Sequence, residues 1–208
     1  MNIREIAGLA PVIPMLAISD IKHAVPLARA LVSGGLRALE IDLRTNAGIG
    51  SIEAIRNEVP AAILGAGNLT RATDFAAAGR AGAQFGTSPG FTPDLAAAAR
   101  GARFPLLPGI MTPSEAISAR HAGFDVLKLF PAQQAGGVSA LGALAAVLPD
   151  VLFCPAGGIA HDNAPEYLAL QSVLCVFGSW LAPDTLLGSL DWGAIESLAR
   201  EAATLKRG

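Results

Sequence analysis

Only two cysteines, one tyrosine, two tryptophans and three histidines occur among 208 residues, and 15% of the chain is charged. Cys154 and Cys175 each sit inside an apolar run with no second cysteine at metal spacing. That excludes a disulfide framework and a zinc ribbon, and predicts two buried thiols in a reducing compartment. No stretch of about 20 residues is apolar throughout, which excludes a long apolar spanning helix. The apolar segment 7–18 is interrupted by Pro11 and Pro14 and follows Arg4 and Glu5. It lacks the basic flank of an export signal, so a cytoplasmic protein without a membrane partner is expected. Fifteen basic residues stand against seventeen acidic ones, giving a formal net charge of -2. A positive footprint for a phosphate backbone is missing, and nucleic acid is not an expected partner. His23, His121 and His161 lie in helical segments or at helix starts, no two on one face at ligand spacing and none beside clustered carboxylates. No metal site and no cofactor are expected.

What remains is apolar and regular. Hydrophobic residues make up 52% of the chain and the mean hydropathy is +0.48, figures that exclude disordered, collagen-like and coiled-coil classes. The length suits one domain, residues 1–208. Eight short apolar runs recur at 12–17, 38–43, 63–67, 84–88, 105–110, 126–130, 152–155 and 173–177. Between them lie segments of helical composition such as 21–32, 52–59, 71–78, 93–100 and 113–121. Helix starts are signalled by Asp20, by Thr92, and by Thr112 with Pro113 and Glu115. Gly34-Gly35, Gly79, Gly82, Gly101 and Gly123 fall where left-handed C-caps are expected. Strict alternation of strand and helix implies a parallel sheet, and eight strands without a composition break predict a closed barrel. The spacing of Gly65-Ala66-Gly67 does not match a dinucleotide fingerprint. The expected fold is therefore α/β, a single (β/α)8 TIM barrel, with residues 1–9 as an extra N-terminal helix and 192–206 as the closing helix.

Lysine is scarce: only Lys22, Lys128 and Lys206 occur among the fifteen basic residues. Lys22 and Lys206 occupy a helix first turn and the C-terminal tail. Lys128 stands in Val126-Leu127-Lys128-Leu129-Phe130, where period-two alternation places Val126, Lys128 and Phe130 on the inner face. Desolvation there disfavours an ammonium and predicts a free amine able to attack a carbonyl, chemistry closed to arginine. The competing reading is a lysine paired with a core carboxylate. In Leu39-Glu40-Ile41-Asp42-Leu43-Arg44-Thr45 the same alternation turns Glu40, Asp42 and Arg44 inward. Glu40 is placed to move protons and Arg44 to clamp a substrate carboxylate, unless Arg44 is consumed in an internal ion pair with Asp42 or Glu40. Finally, Pro155-Ala156-Gly157-Gly158-Ile159 and Phe177-Gly178-Ser179-Trp180 follow runs seven and eight, the loops in which α/β barrels commonly hold phosphate on backbone N–H groups.

These motifs, together with Pro11-Val12-Ile13-Pro14, His23-Ala24-Val25-Pro26, Ser88-Pro89-Gly90, Pro108-Gly109-Ile110, Phe130-Pro131-Ala132 and Phe153-Cys154-Pro155, resemble one bacterial family over nearly the whole chain. It is the class I aldolases of 2-keto-3-deoxy-6-phosphogluconate (KDPG) and 4-hydroxy-2-oxoglutarate (KHG). The resemblance implies Lys128 as Schiff-base lysine, Glu40 as general acid/base and Arg44 as carboxylate clamp. It also implies Asn68, Pro89, Phe130 and Ala156 as substrate contacts, Gly157, Gly158 and Ser179 as the phosphate site, and a homotrimer. Two departures bear on substrate choice. Asn68 stands where the family usually has a threonine, and Ala156 where it often has another; a lost hydrogen bond is worth about 0.5–1.5 kcal/mol. Gln133 replaces a residue that is often acidic.

The implied reaction is cleavage of the phosphorylated keto acid to pyruvate and glyceraldehyde 3-phosphate, and of hydroxyoxoglutarate to pyruvate and glyoxylate. The 6-phosphogalactonate epimer is a close alternative substrate. A phosphosugar isomerase or epimerase on the same scaffold, with Glu40 as base, and a non-catalytic phosphosugar-binding protein are the competing functions. Borohydride separates them, since reduction traps only a Schiff base.

Overall fold

The computed structural model describes all residues, 1–208. A short helix, α1 (Ile3–Ala7), is closed at its start by a capping box of Asn2 and Glu5. The chain then alternates β1 (Val12–Leu16), α2 (Ala24–Ser33), β2 (Ala38–Asp42), α3 (Gly48–Glu58), β3 (Ile63–Gly67), α4 (Ala72–Ala81), β4 (Phe85–Thr87) and α5 (Pro93–Gly101). It continues with β5 (Leu106–Leu107), β6 (Gly109–Ile110), α6 (Pro113–His121), β7 (Val126–Leu129), α7 (Gly137–Val147), β8 (Leu152–Phe153), α8 (Ala164–Leu168), β9 (Val176–Gly178), α9 (Asp184–Ser189) and α10 (Trp192–Ala203).

All strand pairs are parallel. Six strands form a half-barrel sheet in the order β5-β4-β3-β2-β1-β9, and β6-β7-β8 form a second sheet. The run at 105–110 is divided because Pro108, between β5 and β6, has no N–H to donate to a ladder. The last run is displaced: Val173 makes only an isolated bridge to Phe153, and the strand proper is Val176–Gly178. Between the two sheets, Phe153 N–H donates to the Ser172 carbonyl at 2.7 Å and Phe177 N–H to the Pro155 carbonyl at 2.9 Å.

Two helix starts follow their sequence signals, whereas Asp20 caps a 3-10 turn, Ile21–His23, and α2 begins after it without a side-chain cap. Thr92 Oγ1 accepts from the Leu95 N–H, and Thr112 and Glu115 form a reciprocal capping box. The glycine expectation needs correction. Gly35, Gly82 and Gly123 are left-handed, but Gly34 is right-handed and Gly79 and Gly101 lie inside helices. Helix α7 has no side-chain cap and starts from two consecutive left-handed glycines, Gly136 and Gly137, so no start signal marks it.

Two apolar layers follow from the strand alternation. Outward side chains such as Leu39, Ile41, Leu127 and Leu129 join the helices in a cluster of 48 buried residues. Inward side chains form a smaller cluster of 12, in which Ile13, Ala38, Ile63, Phe85, Leu107 and Val126 meet Ile6 and Ala7 of α1. Burying each large apolar side chain contributes about 1.5–3 kcal/mol. No helix is long and apolar enough to cross a membrane. Cys154 and Cys175 are free and fully buried in the inner layer, and burial pushes the Cys175 thiol well above its ordinary range, with the neighbouring Cys154 adding to the effect.

Candidate active site

Two residues beyond the inner apolar layer, the same strands become polar. Ala38 is followed on its face by Glu40, Phe85 by Thr87 and Val126 by Lys128, and all three polar residues are buried. The step of two fixes this placement, because alternate residues share a face. Lys128 is 5% exposed and Glu40 2%. Lys128 Nζ donates to Glu40 Oε2 at 2.9 Å, to Oε1 at 3.2 Å, and to Thr87 Oγ1 at 3.1 Å. The Thr87 hydroxyl in turn donates to Glu40 Oε2 at 2.8 Å. The ring of Phe177 lies beneath the amine, 4.4 Å from Nζ to its centroid, so its negative face supports a cation there.

The amine is therefore paired with a core carboxylate, the competing reading of its sequence environment. An unpartnered buried ammonium is costly, whereas this one has a carboxylate, a hydroxyl and an aromatic face. Glu40 Oε2, 2.9 Å from Nζ, is the nearest group placed to take a proton from the amine. Gly67 makes room for that carboxylate: a Cβ there would lie 2.7 Å from Glu40 Oε1.

Arg44, expected as a carboxylate clamp, is also more constrained than alternation implied. Strand β2 ends at Asp42, so Arg44 lies in the following turn with its side chain 74% exposed. Its Nε donates to Asp42 Oδ2 at 2.9 Å and its Nη2 to the same oxygen at 2.6 Å, while its backbone N–H donates to Oδ1 at 2.9 Å. Asn68 Nδ2 also donates to Oδ1, at 2.9 Å. The internal ion pair thus forms, and the third guanidinium nitrogen, Nη1, is left without a protein acceptor. Burial pushes the Asp42 carboxyl up, but the hydrogen bonds from Arg44 and Asn68 outweigh it and hold the group below the usual carboxylate range. The hydrogen bond to Asp42 raises the Arg44 guanidinium correspondingly. Asn68 sits in the left-handed region at φ 62°, a conformation asparagine tolerates far better than a β-branched residue.

A cavity of about 180 Å³ gathers these groups, lined by Met15, Ala17, Glu40, Asp42, Arg44, Asn68, Pro89, Lys128, Phe130 and Ser179. Seven residues singled out from sequence therefore converge on one space: Lys128, Glu40, Arg44, Asn68, Pro89, Phe130 and Ser179. Gly157 and Gly158 do not line it but form the adjoining loop, at φ 92° and 75°. The N–H groups of Gly157, Gly158, Ser179 and Trp180 meet no protein acceptor, which leaves a set of donors able to receive an anion. Ala156 stands apart: it belongs to the inner apolar cluster, with its N–H on the Leu129 carbonyl at 2.9 Å. Sequence reasoning did not single out Thr87 or assign Asp42 a place in the site. Their only signal was position, each two residues past an inward neighbour. Gln133 has a structural partner, its Oε1 accepting from the buried Tyr167 hydroxyl at 2.9 Å. No group of three or more His, Cys, Asp or Glu side chains is arranged to hold a metal ion.

The chemistry of this arrangement is that of a buried amine beside a proton acceptor, with cationic and amide donors further out. Known proteins resemble the chain over nearly its whole length. A 2-dehydro-3-deoxy-phosphogluconate aldolase of Pseudoalteromonas atlantica is 47% identical over 199 residues, covering 96% of this chain and 93% of the relative. The crystal structure of 2-keto-3-deoxy-6-phospho-gluconate aldolase from Zymomonas mobilis superposes with a TM-score of 0.96 at 43% identity, covering 100% of this chain and 99% of the other. KDPG aldolase from Legionella pneumophila, with pyruvate captured as a covalent carbinolamine, superposes with a TM-score of 0.95 at 37% identity over 98% of this chain and 99% of the other. Residues 3–198 match the family described as "Aldolase: KDPG and KHG aldolase", and the chain belongs to that family.

Proposed function

We propose that the protein is a class I aldolase, a carbon–carbon lyase that cleaves 2-keto-3-deoxy-6-phosphogluconate to pyruvate and glyceraldehyde 3-phosphate and accepts 4-hydroxy-2-oxoglutarate. The observation that carries this reading is the buried Lys128–Glu40 pair, 2.9 Å apart, at the cavity lined by Arg44 and Ser179. Lys128 gives a proton to Glu40 and attacks the C2 ketone. Loss of water yields an iminium, which draws the electrons of the C3–C4 bond as Glu40, ionised again, takes the C4 hydroxyl proton. The aldehyde departs and leaves an enamine. Protonation at C3 by Glu40 and hydrolysis of the imine release pyruvate and restore the amine. Arg44 Nη1 serves the substrate carboxylate, and the donors of Gly157, Gly158 and Ser179 serve the phosphate.

The fold reading completes the picture. The two sheets join into one closed (β/α)8 barrel: β5 and β6 act as one strand interrupted at Pro108, and the Ala156–Phe177 bridge links the second sheet to the first. Helix α1 is an extra N-terminal helix plugging the barrel floor, which the burial of Ile6 and Ala7 supports. Residues 1–208 form one domain, working in the cytoplasm as a homotrimer. Met111 and Ile117 are apolar side chains 46% and 43% exposed, available to such an interface. Sedimentation equilibrium returning a monomer would remove the trimer.

The deciding experiment is intact-mass spectrometry after incubation with pyruvate and borohydride, followed by peptide mapping. One reduced pyruvyl adduct on Lys128 is expected. A folded protein that forms no adduct would overturn the Schiff-base mechanism.

A further inference from the structure

We propose that Thr87 is a working member of the proton-handling centre: its hydroxyl relays a proton between Lys128 and Glu40 and keeps the carboxylate aimed. This rests on the aldolase reading above. Thr87 ends β4 and is 1% exposed. Its backbone is pinned on both sides, pairing with Leu107 of β5 and accepting from the Leu69 N–H at 2.9 Å. Because Phe85 fills the inner apolar layer, the residue two positions on must face the same interior, and a β-branched side chain has little freedom at χ1.

The hydroxyl uses both of its capacities on reacting groups. It accepts from Lys128 Nζ at 3.1 Å and donates to Glu40 Oε2 at 2.8 Å. As Nζ passes a proton to Oγ1, the hydroxyl's own proton moves to Oε2. The ammonium becomes an amine, the carboxylate becomes a carboxylic acid, and the threonine is unchanged. Reversal of the two transfers returns the ionised carboxylate. The hydrogen bond also restrains Glu40 once Nζ is bonded to substrate carbon and has fewer hydrogens left to hold it. A space-filling threonine would need neither contact.

Pyruvate alone tests this, because an iminium at Lys128 permits exchange of the pyruvate methyl hydrogens through the enamine. In D2O, proton NMR reads the exchange rate and the pyruvate concentration at half-saturation. Thr87→Val keeps the shape and removes the hydroxyl. Its maximal exchange rate is expected to fall about tenfold, the scale of one hydrogen bond to a charged group, with half-saturation within about twofold. Thr87→Ser, which keeps the hydroxyl, is expected to recover most of the rate. Should Thr87→Val fail to fold, the contrast of Thr87→Ala with Thr87→Ser carries the same information. Wild-type exchange in a folded hydroxyl-free variant overturns the proposal, as does a folded Thr87→Ser as slow as the hydroxyl-free variants. Failure of the aldolase reading is seen separately, as absence of a borohydride-trapped adduct on Lys128 in the unmodified protein.

Discussion

The strands carry two interiors stacked one above the other. In the lower one Ile13, Ala38, Ile63, Phe85 and Val126 pack with Ile6 and Ala7 in a cluster of buried apolar side chains. In the upper one, a single inward step further along the chain, Glu40, Thr87 and Lys128 form a closed hydrogen-bonded set. Backbone geometry is the same in both. Apolar burial holds the lower layer together, and the upper layer tolerates its charges only because each has a partner and because the strands are already fixed beneath it. Stability and chemistry are thereby separated by about one 6–7 Å step along a strand.

That separation can be tested by substitutions whose effects should fall in one layer only. The largest effect is expected for Lys128→Arg, which leaves Glu40 a cation but removes the attacking amine. Lyase turnover should fall by more than about 10³-fold with no trapped adduct, while thermal unfolding shows a folded protein; near-normal turnover would break the division. In the lower layer, Ile13→Ala should cost about 3 kcal/mol in urea unfolding. Turnover per folded molecule should stay within about twofold, so a large loss of turnover would show the layers to be coupled.

Asp42→Asn probes the rim. It removes the charge that holds Arg44, and KM for the keto acid is expected to rise about tenfold with little change in kcat, one charge-assisted hydrogen bond being worth roughly that much. The sign of the pH effect follows from Asp42. Its carboxyl is held below the usual range because the hydrogen bonds from Arg44 and Asn68 outweigh burial. The stabilising pair is thus fully present above the ordinary carboxylate value near about 4 and is lost only as pH falls through the lowered one. KM measured from neutral pH down to about 5 should not reflect its loss. The smallest effect is expected for Ser179→Ala, which keeps the backbone N–H and removes only the hydroxyl at the cavity wall: a rise of about threefold in KM for the phosphorylated substrate, with KM for 4-hydroxy-2-oxoglutarate unchanged. Equal effects on both substrates would detach the Ser179 hydroxyl from the phosphate.

Much of this was legible from residue order. Lys128 is conspicuous in an apolar strand, and Glu40 is placed by alternation within 38–43. Arg44, Asn68, Pro89, Phe130 and Ser179, named from sequence by motif and resemblance, meet at one cavity. Less legible were features depending on what stands across the interior. Thr87 looks like an ordinary strand threonine until Lys128 and Glu40, distant in sequence, close on it. Ala156 precedes the two left-handed glycines Gly157 and Gly158, yet its own buried position belongs to the lower layer. Helix α7 begins without a capping side chain, so tertiary packing, not a local signal, fixes its start.

The sequence by itself determined the alternation of strand and helix, the inward faces, and the presence of one lysine where only a reactive or paired lysine is tolerable. Those properties are local: they follow from periods of two and 3.6 residues, from capping chemistry and from the cost of burying charge. Tertiary structure decided the partners. It gave Lys128 a carboxylate and a hydroxyl, tied Arg44 to Asp42 through a carboxylate that Asn68 also holds, and left the Gly157, Gly158 and Ser179 N–H groups without protein acceptors. Hydrogen bonds and ion pairs depend on distances of about 3 Å between groups brought together by different strands, and those distances exist only once the strands have assembled.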